Sequence, residues 1–77
     1  MKIELHKAVI KFIQRLQPKE QSRILNALYK LPNGDTKQLA GRAGEYRLRV
    51  GKWRAIYKFR DSIIFVMEID ARGDIYK

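Results

Sequence analysis

The sequence predicts an α+β fold, in which an N-terminal antiparallel helical hairpin packs on a mainly antiparallel sheet of three to five strands. Three observations predict it. Apolar residues recur at helical spacing up to residue 31, they alternate with polar residues after residue 45, and the pair Gly51-Lys52 separates two of the alternating runs. A chain of 77 residues has room for one domain, residues 1–77, because a second independent core would not fit.

Two helices are predicted in the first half of the chain, after a short strand over residues 2–5. The first helix, over about 6–16, has an apolar stripe made of Ala8, Val9, Phe12, Ile13 and Leu16. The second, over about 18–31, starts at Pro18, buries Ile24, Leu25, Leu28 and Leu31, and ends at Pro32-Asn33-Gly34. So short a link between helices predicts an antiparallel hairpin.

Three strands are predicted in the second half, following a loop over residues 34–44. They cover residues 46–50, 53–59 and 63–69, with two-residue turns at Gly51-Lys52 and Asp61-Ser62. Because side chains alternate across a sheet, Leu48, Val50, Ala55 and Tyr57 are expected on the face that the helices cover. Trp53, Tyr46 and Tyr57 are therefore predicted to be core residues.

The composition excludes several kinds of site. The chain has no cysteine, which rules out disulfides, thiolate zinc sites and cysteine nucleophiles, and its single histidine, His6, cannot form a histidine-rich metal site. We therefore expect no metal and no other cofactor. No apolar run approaches the roughly 18–20 residues of a membrane span. The N-terminus also lacks the pattern of a secretory signal, so we expect a cytoplasmic protein without a membrane partner.

Positive charge is concentrated in the middle of the chain. Seventeen Lys and Arg residues against eight Asp and Glu give a net charge of +9, and residues 37–60 contain eight of the basic residues but only one acidic residue, Glu45. Such an imbalance predicts an anion-binding face whose partners are polyanions or acidic proteins. The cations expected to bind a nucleic-acid backbone are Lys37, Arg42, Lys52 and Lys58.

Two arginines are predicted to face each other on the side of the sheet that the helices leave open. A two-residue turn at Gly51-Lys52 pairs Arg49 with Arg54 and places both on the same face as Arg47. Like charges directly opposite each other destabilise a sheet by some tenths of a kcal/mol. Folding gives no reason for this pair, whereas a phosphate bound between two guanidinium groups does.

The third strand is predicted to bring the C-terminal residues to this site. A two-residue turn at Asp61-Ser62 places Ile69 opposite Arg54, so Arg72 is expected to reach the arginine pair. Tyr76 then adds an aromatic surface, which suits the unstacked bases of single-stranded RNA.

Two segments resemble the RelE/ParE toxin superfamily of bacterial and archaeal toxin–antitoxin modules. They are Lys37-Gln-Leu-Ala-Gly41 and Gly44-Glu-Tyr-Arg-Leu-Arg-Val-Gly-Lys-Trp-Arg-Ala-Ile-Tyr57, followed late in the chain by Arg72-Gly-Asp-Ile-Tyr76. The family fold, a helical hairpin on an antiparallel sheet, agrees with the prediction above. The resemblance implies a ribosome-dependent, metal-independent endoribonuclease that cuts mRNA in the ribosomal A site. In such enzymes the RNA 2′-hydroxyl attacks the adjacent phosphate.

The resemblance also implies roles for five residues. Arg47 and Arg49 match basic active-site positions, and Arg54 matches the arginine that stabilises the phosphate in the transition state. Arg72 and Tyr76 match the C-terminal basic and tyrosine positions, and Tyr76 is expected to stack on a base. The resemblance further implies a neutralising partner, and the charge of +9 favours an acidic antitoxin that lays a helix or a strand over the basic face.

The chain departs from the family in its acid–base residues. Some members have lysines where this chain has Arg47 and Arg49, and others have a C-terminal histidine that is missing here. Arginine cannot act as a base at ordinary pH. Either Glu45 or Tyr76 serves as the acid or base, or catalysis depends on phosphate charge stabilisation and ribosomal positioning, or the protein is catalytically weak.

Three functional hypotheses follow from the sequence. The first is an RNA-cleaving toxin, supported by the opposed arginines together with Arg72 and Tyr76. The second is a non-enzymatic inhibitor like the members of the superfamily that poison DNA gyrase, supported by the missing acid–base residue. The third is an RNA-binding domain without toxicity, whose affinity would depend steeply on salt.

Overall fold

The computed structural model of the protein describes residues 2–41 and 43–71, and it confirms the predicted α+β architecture. The elements in chain order are β1 (Lys2–Leu5), α1 (Lys7–Gln14), α2 (Pro18–Tyr29), β2 (Thr36–Gln38), β3 (Glu45–Val50), β4 (Trp53–Arg60) and β5 (Ile63–Asp70). The strands form one sheet in the order β1-β5-β4-β3-β2, in which only the β1–β5 pair is parallel. Arg42, Arg72 and Tyr76, which the sequence analysis singled out, lie outside the described residues.

The two helices begin and end where local chemistry predicts. His6 caps α1, because its Nδ1 accepts a hydrogen bond from the Ala8 N–H at 3.0 Å, and Pro18 occupies the first turn of α2, where no backbone N–H is needed. The Gln21 side-chain amide donates to the Ile13 carbonyl at 2.9 Å, which ties α2 to the last turn of α1. Neither helix is long and apolar enough to cross a membrane.

The core lies between the helices and one face of the sheet. Helix α1 packs on β5 and helix α2 packs on β3. The buried residues of the helices are Val9, Ile13, Ile24 and Leu28, and those of this sheet face include Leu48, Val50, Trp53, Ala55, Tyr57, Ile64 and Val66. Most positions in this core were predicted from periodicity, because burial on one face imposes the period of each element. Ile64 and Val66 were predicted only as part of a strand, and Ala8, predicted in the apolar stripe of α1, is exposed.

The predicted core aromatics are confirmed. Trp53 is 6% exposed and meets Phe12 of α1 edge to face, with ring centroids 5.5 Å apart. Tyr57 is 2% exposed and stacks on its cross-strand neighbour Tyr46, with centroids 5.4 Å apart. Burial raises the pKa of the Tyr57 phenol, a hydrogen bond with Thr36 lowers it in part, and Tyr46 raises it further.

Two details of the sheet differ from the predictions. The predicted loop over residues 34–44 contains the short strand β2, which pairs with Tyr46, Arg47 and Leu48. It has no apolar alternation of its own, so its pairing partner on β3 determines its conformation.

The turn at Asp61-Ser62 is confirmed, and both residues have positive φ, at 51° and 64°. The predicted register holds from the turn as far as Tyr57, which pairs with Val66, and is wrong by one residue from Ile56 onwards, because an irregularity between Ile56 and Tyr57 adds one residue to β5.

Candidate functional site

The predicted pairing of β3 with β4 is confirmed residue by residue. Val50 pairs with Trp53, Arg49 with Arg54, Leu48 with Ala55 and Arg47 with Ile56. Gly51 has φ 59° and Lys52 has no positive φ, which is the pattern of a type II′ hairpin turn with glycine first. Since Leu48, Val50 and Ala55 are in the core, the alternation places Arg49 and Arg54 on the opposite face, away from the helices.

Arg49 and Arg54 form the closely spaced type of cross-strand pair. The N–H of Arg49 points away from β4 and donates to the Asp35 carbonyl at 2.9 Å. The Arg49–Arg54 pair is therefore the non-hydrogen-bonded kind, in which Cα atoms are about 4.5 Å apart and the side chains are closest. The two arginine side chains thus leave the sheet from directly opposite positions. Within residues 2–41 and 43–71, no ion pair joins either of them to a carboxylate.

The guanidinium of Arg54 is held by the hairpin turn. Its Nη1 donates to the Gly51 carbonyl at 2.9 Å and to the Trp53 carbonyl at 3.1 Å. Nη1 carries two N–H bonds, so these two carbonyls use both of them and leave the Nε and Nη2 donors for another acceptor. The turn therefore fixes the orientation of the group while leaving three of its five donors available.

Asp70, and not Ile69, lies opposite Arg54 on β5, which corrects the predicted register. The cause is the extra residue in β5, which moves the later part of the strand by one position. The Asp70 side chain accepts a hydrogen bond from the Ala71 N–H at 2.6 Å. A carboxylate thus stands at the end of the row Arg49–Arg54–Asp70. In the described part of the chain it accepts a hydrogen bond from the residue that follows β5 and forms no ion pair with Arg54.

Arg47 is less accessible than Arg49, which is exposed. Its side chain is 15% exposed, and its Nη2 lies 3.8 Å from the Asp35 Oδ1. Arg47 also pairs with Lys37 on β2 and with the fully buried Ile56 on β4. Arg47 is thus on the predicted face but is partly neutralised, whereas Lys37 is exposed beside it.

The other predicted site residues are spread over a wider area. Lys58 is exposed on the same face as the arginine pair, opposite Glu45 on β3. Glu45 is four residues from Arg49 along β3, which corresponds to about 13 Å. Lys52 turns towards the helices, because its Nζ lies 3.9 Å from the Glu20 Oε2 and 4.9 Å from the centre of the Trp53 ring. The structure therefore does not bring Lys52 to the face that carries Arg49 and Arg54.

One arginine near the site was not anticipated from the sequence. Arg23 extends from α2 to the hairpin turn, where its Nη2 lies 2.9 Å from the position that a Cβ atom would occupy on Gly51. Arg23 and Arg54 therefore both contact Gly51. The sequence carries no signal for this approach, since it depends on how α2 lies across the end of the sheet.

The chain matches the sequence model of one protein family over residues 3–76. That family is described as the ParE toxin of the type II toxin–antitoxin system parDE. The match covers nearly the whole chain. The chain belongs to the ParE toxin family.

Relatives of this ParE-family chain carry RelE names, which confirms the resemblance to the RelE/ParE superfamily. A protein of Methanocaldococcus jannaschii that is described as a candidate toxin, RelE1, is 31% identical, and the alignment covers 97% of this chain and 93% of the relative. The toxin in the crystal structure of the archaeal RelE–RelB complex from Pyrococcus horikoshii superposes with a TM-score of 0.79 at 27% identity, covering 95% of this chain and 96% of that one.

Two further solved structures share the fold of this ParE-family chain. One is the RelB–RelE antitoxin–toxin complex from Methanococcus jannaschii, with a TM-score of 0.76 at 20% identity, over 95% of this chain and 94% of that one. The other is the RelBE2 toxin–antitoxin complex from Mycobacterium tuberculosis, with a TM-score of 0.77 at 18% identity, over 92% and 96%. At these identities the likeness shows the fold, a helical hairpin on a five-stranded sheet.

Proposed function

We propose that this chain is the toxin of a type II toxin–antitoxin module and that it cleaves mRNA in the ribosomal A site. The observation that carries the proposal is the Arg49–Arg54 pair, two arginines directly opposite each other on the face that the helices leave open. The pair has an electrostatic cost for the sheet, and a bound phosphate would remove that cost. Membership of a toxin family and likeness to RelE proteins support the same activity.

In the proposed reaction, the RNA 2′-oxygen attacks the neighbouring phosphorus as the bond from phosphorus to the 5′-oxygen breaks. The 2′-hydroxyl loses a proton and the leaving 5′-oxygen gains one, so the products are a cyclic phosphate and a 5′-hydroxyl. Negative charge increases on the phosphate oxygens in the transition state. The Nε and Nη2 donors of Arg54, already oriented by the bonds of Nη1 to Gly51 and Trp53, bind those oxygens together with Arg49.

Proton transfer needs a group other than these arginines, because a guanidinium stays protonated at ordinary pH. Glu45 lies about 13 Å along β3 from Arg49. We therefore propose that the arginine pair contributes charge stabilisation and that the ribosome positions the 2′-hydroxyl, with Arg72 as a further cation and Tyr76 stacked on a base. Glu45 and Tyr76 remain the candidates within the chain for acid or base.

We further propose that an acidic antitoxin covers the basic face. Neighbours of this fold were solved as RelE–RelB complexes, and a net charge of +9 favours an acidic partner. A groove of about 590 Å³ at the other end of the open face supports this proposal. Phe65 and Met67 provide apolar surface there, and the charged lining includes the cations Lys58 and Arg60 and the carboxylates Glu4 and Asp61, so this groove suits an amphipathic segment that is apolar on one side.

The decisive experiment is induced expression in bacteria followed by primer extension on an abundant transcript. We compare the wild type with Arg54→Gln, with Arg54→Lys and with the control Lys11→Gln, whose exposed lysine lies on α1. Cuts within translated codons are expected for the wild type and the control. Arg54→Gln should reduce cleavage about 10²- to 10³-fold, and Arg54→Lys should restore little of it, since lysine has no planar fork of donors. Equal cleavage by folded Arg54→Gln would overturn the proposal.

A second candidate function is inhibition of DNA gyrase without RNA cleavage. It is favoured by one observation, that the matching family is described as the ParE toxin and not by a RelE name. In this case growth arrest would occur with uncut transcripts, and purified protein would inhibit gyrase supercoiling. If expression caused neither arrest nor cuts, the chain would be an RNA-binding domain without toxicity.

A further inference from the structure

A basic groove lies next to the arginine pair, between helix α2 and the end of β3. Its volume is about 370 Å³, and it is lined on the helix side by Arg23, Asn26 and Lys30 and on the other side by Asn33, Asp35 and Arg49. We call it the α2 groove. It shares Arg49 with the proposed catalytic pair, so the groove and the pair adjoin each other at the end of β3.

The helix side of the α2 groove is a single polar stripe. Arg23, Asn26 and Lys30 are spaced by three and then four residues, so they lie on one face of α2. Arg23 and Lys30 are seven residues apart, which separates them by about 10 Å along the helix axis. The stripe thus presents two cations with an amide between them, beside the buried positions Ile24 and Leu28.

The cations of the α2 groove outnumber the carboxylates that the described residues place there. Among those residues, Asp35 is the one carboxylate that lines the groove, and its Oδ1 lies 3.8 Å from Arg47 Nη2. Over the described ranges 2–41 and 43–71, no ion pair involves Arg23, Lys30 or Arg49. The groove therefore has an uncompensated positive charge and a lining of amide groups that donate and accept hydrogen bonds.

We infer that the α2 groove binds the backbone of the RNA segment that flanks the cleaved phosphate, with Arg23 and Lys30 contacting phosphates. The inference rests on the proposed function, since it extends the path of the same RNA strand. The lining favours RNA over an acidic or apolar protein segment, because its large apolar side chains, Leu48 and Val50, are only 1% and 9% exposed, whereas its cations and amides lie on exposed residues. Separate cations with amides between them suit a sugar–phosphate chain.

The test is equilibrium binding of fluorescent single-stranded RNA to purified protein, without ribosomes, at salt concentrations from about 50 to about 200 mM. The test variant is Arg23→Gln/Lys30→Gln. The matched control is Lys11→Gln/Arg15→Gln, which removes two exposed cations from α1. Circular dichroism verifies that both variants are folded, as expected for substitutions at exposed positions.

We expect the test variant to bind a long RNA about fivefold to tenfold more weakly and to reduce the slope of log K against log salt by about 1.4, which is 0.7 for each lost phosphate contact. A dinucleotide has a single bridging phosphate and cannot contact Arg23 and Lys30 together, so the test variant should lose less affinity and less slope with the dinucleotide than with the long RNA. The control should keep the affinity and slope of the wild type for both RNAs. Equal slopes for the test variant and the wild type would overturn the inference.

Poly-L-glutamate serves as the probe for an acidic protein partner. If Arg23→Gln/Lys30→Gln lost affinity for poly-L-glutamate but kept its affinity for RNA, the groove would belong to a protein partner and the inference would be wrong. Primer extension separates this failure from that of the proposed function. If the wild type cuts transcripts while the RNA slopes are equal, only the inference fails, whereas the absence of cuts by the wild type contradicts the proposed function itself.

Discussion

The opposed arginines should make the fold less stable than it would be without them. Arg49 is exposed, and within the described residues it has no ion pair, so Arg49→Gln removes a charge without removing a stabilising contact. Arg54 is a poorer choice for this test, because its side chain also bonds to the carbonyls of the hairpin turn. We therefore predict that Arg49→Gln stabilises the protein while it reduces RNA cleavage.

The size of the effect follows from the type of pair. Two unit charges about 4 Å apart in water repel each other by roughly 1 kcal/mol. The exposed Arg49 side chain can move away from the Arg54 guanidinium, which the hairpin turn holds, and this movement reduces the repulsion. Measured cross-strand pairs contribute about 0.2–1 kcal/mol. We expect Arg49→Gln to raise the free energy of unfolding by about 0.3–0.5 kcal/mol at low salt, which corresponds to a Tm higher by about 1–4 °C for a chain of this length.

The assay is thermal unfolding followed by circular dichroism, at low salt and again at about 1 M salt, where the Debye length falls to about 3 Å. The increase in Tm should be present at low salt and should largely disappear at high salt. Lys11→Gln is the matched control, since it lowers the net charge by the same amount at an exposed position on α1. The control should change Tm by less than Arg49→Gln does.

A double-mutant cycle isolates the pair itself. Arg49→Gln and Arg54→Gln, alone and together, should show a repulsive coupling free energy of a few tenths of a kcal/mol at low salt. A coupling of zero, or a stabilisation that does not depend on salt, would refute the argument that the pair has an electrostatic cost. The arginines would then be ordinary residues of a polar face, and the main physical support for a phosphate site would be lost.

Three further predictions test the surroundings of the site. Gly51→Ala should lower the free energy of unfolding by about 1–2 kcal/mol, because φ at this position is 59° and a Cβ atom would lie 2.9 Å from Arg23 Nη2; an unchanged Tm would contradict the turn geometry. His6→Ala should lower the free energy of unfolding, measured by urea titration, by about 0.5–1 kcal/mol, because it removes the α1 cap. His6→Asn keeps an acceptor at this position and should lower it by less; equal losses for the two variants would contradict the cap. Burial raises the pKa of Tyr57, so the neutral phenol stabilises the folded state fully below pH about 10, and this contribution is lost as the pH rises through the raised value. Tyr57→Phe should therefore lose less stability than the wild type in alkaline solution, and parallel pH profiles would count against this assignment.

Periodicity predicted most of the fold because each element buries one face. The stripe that includes Val9 and Ile13 and the alternation that includes Leu48 and Ala55 follow directly from the spacing of side chains in helices and strands. Strand β2 was missed for the opposite reason. Its three residues bury no regular face, and only the open edge of β3 places them in the sheet.

In the candidate site, too, contacts set by neighbouring residues could be predicted from the sequence, and contacts set by distant residues could not. The Arg49–Arg54 pairing could be predicted because a two-residue turn with glycine first sets the register of adjacent strands. The position of Asp70 opposite Arg54 could not, since an added residue within β5 leaves no clear mark in the sequence. A shift of one residue changes which side chain stands beside the arginine pair.

The sequence by itself therefore determined the α+β class, the two faces of the β3–β4 hairpin and the pair of like charges on its open face. These properties depend on residues that are close together in the chain, through periodicity and turn chemistry. Only the tertiary structure decided that Arg23 approaches Gly51, that Lys52 turns towards Glu20, and that Arg47 is drawn towards Asp35. Each of these contacts joins separate elements, so it depends on how the helices and strands pack against one another, which local sequence patterns do not specify.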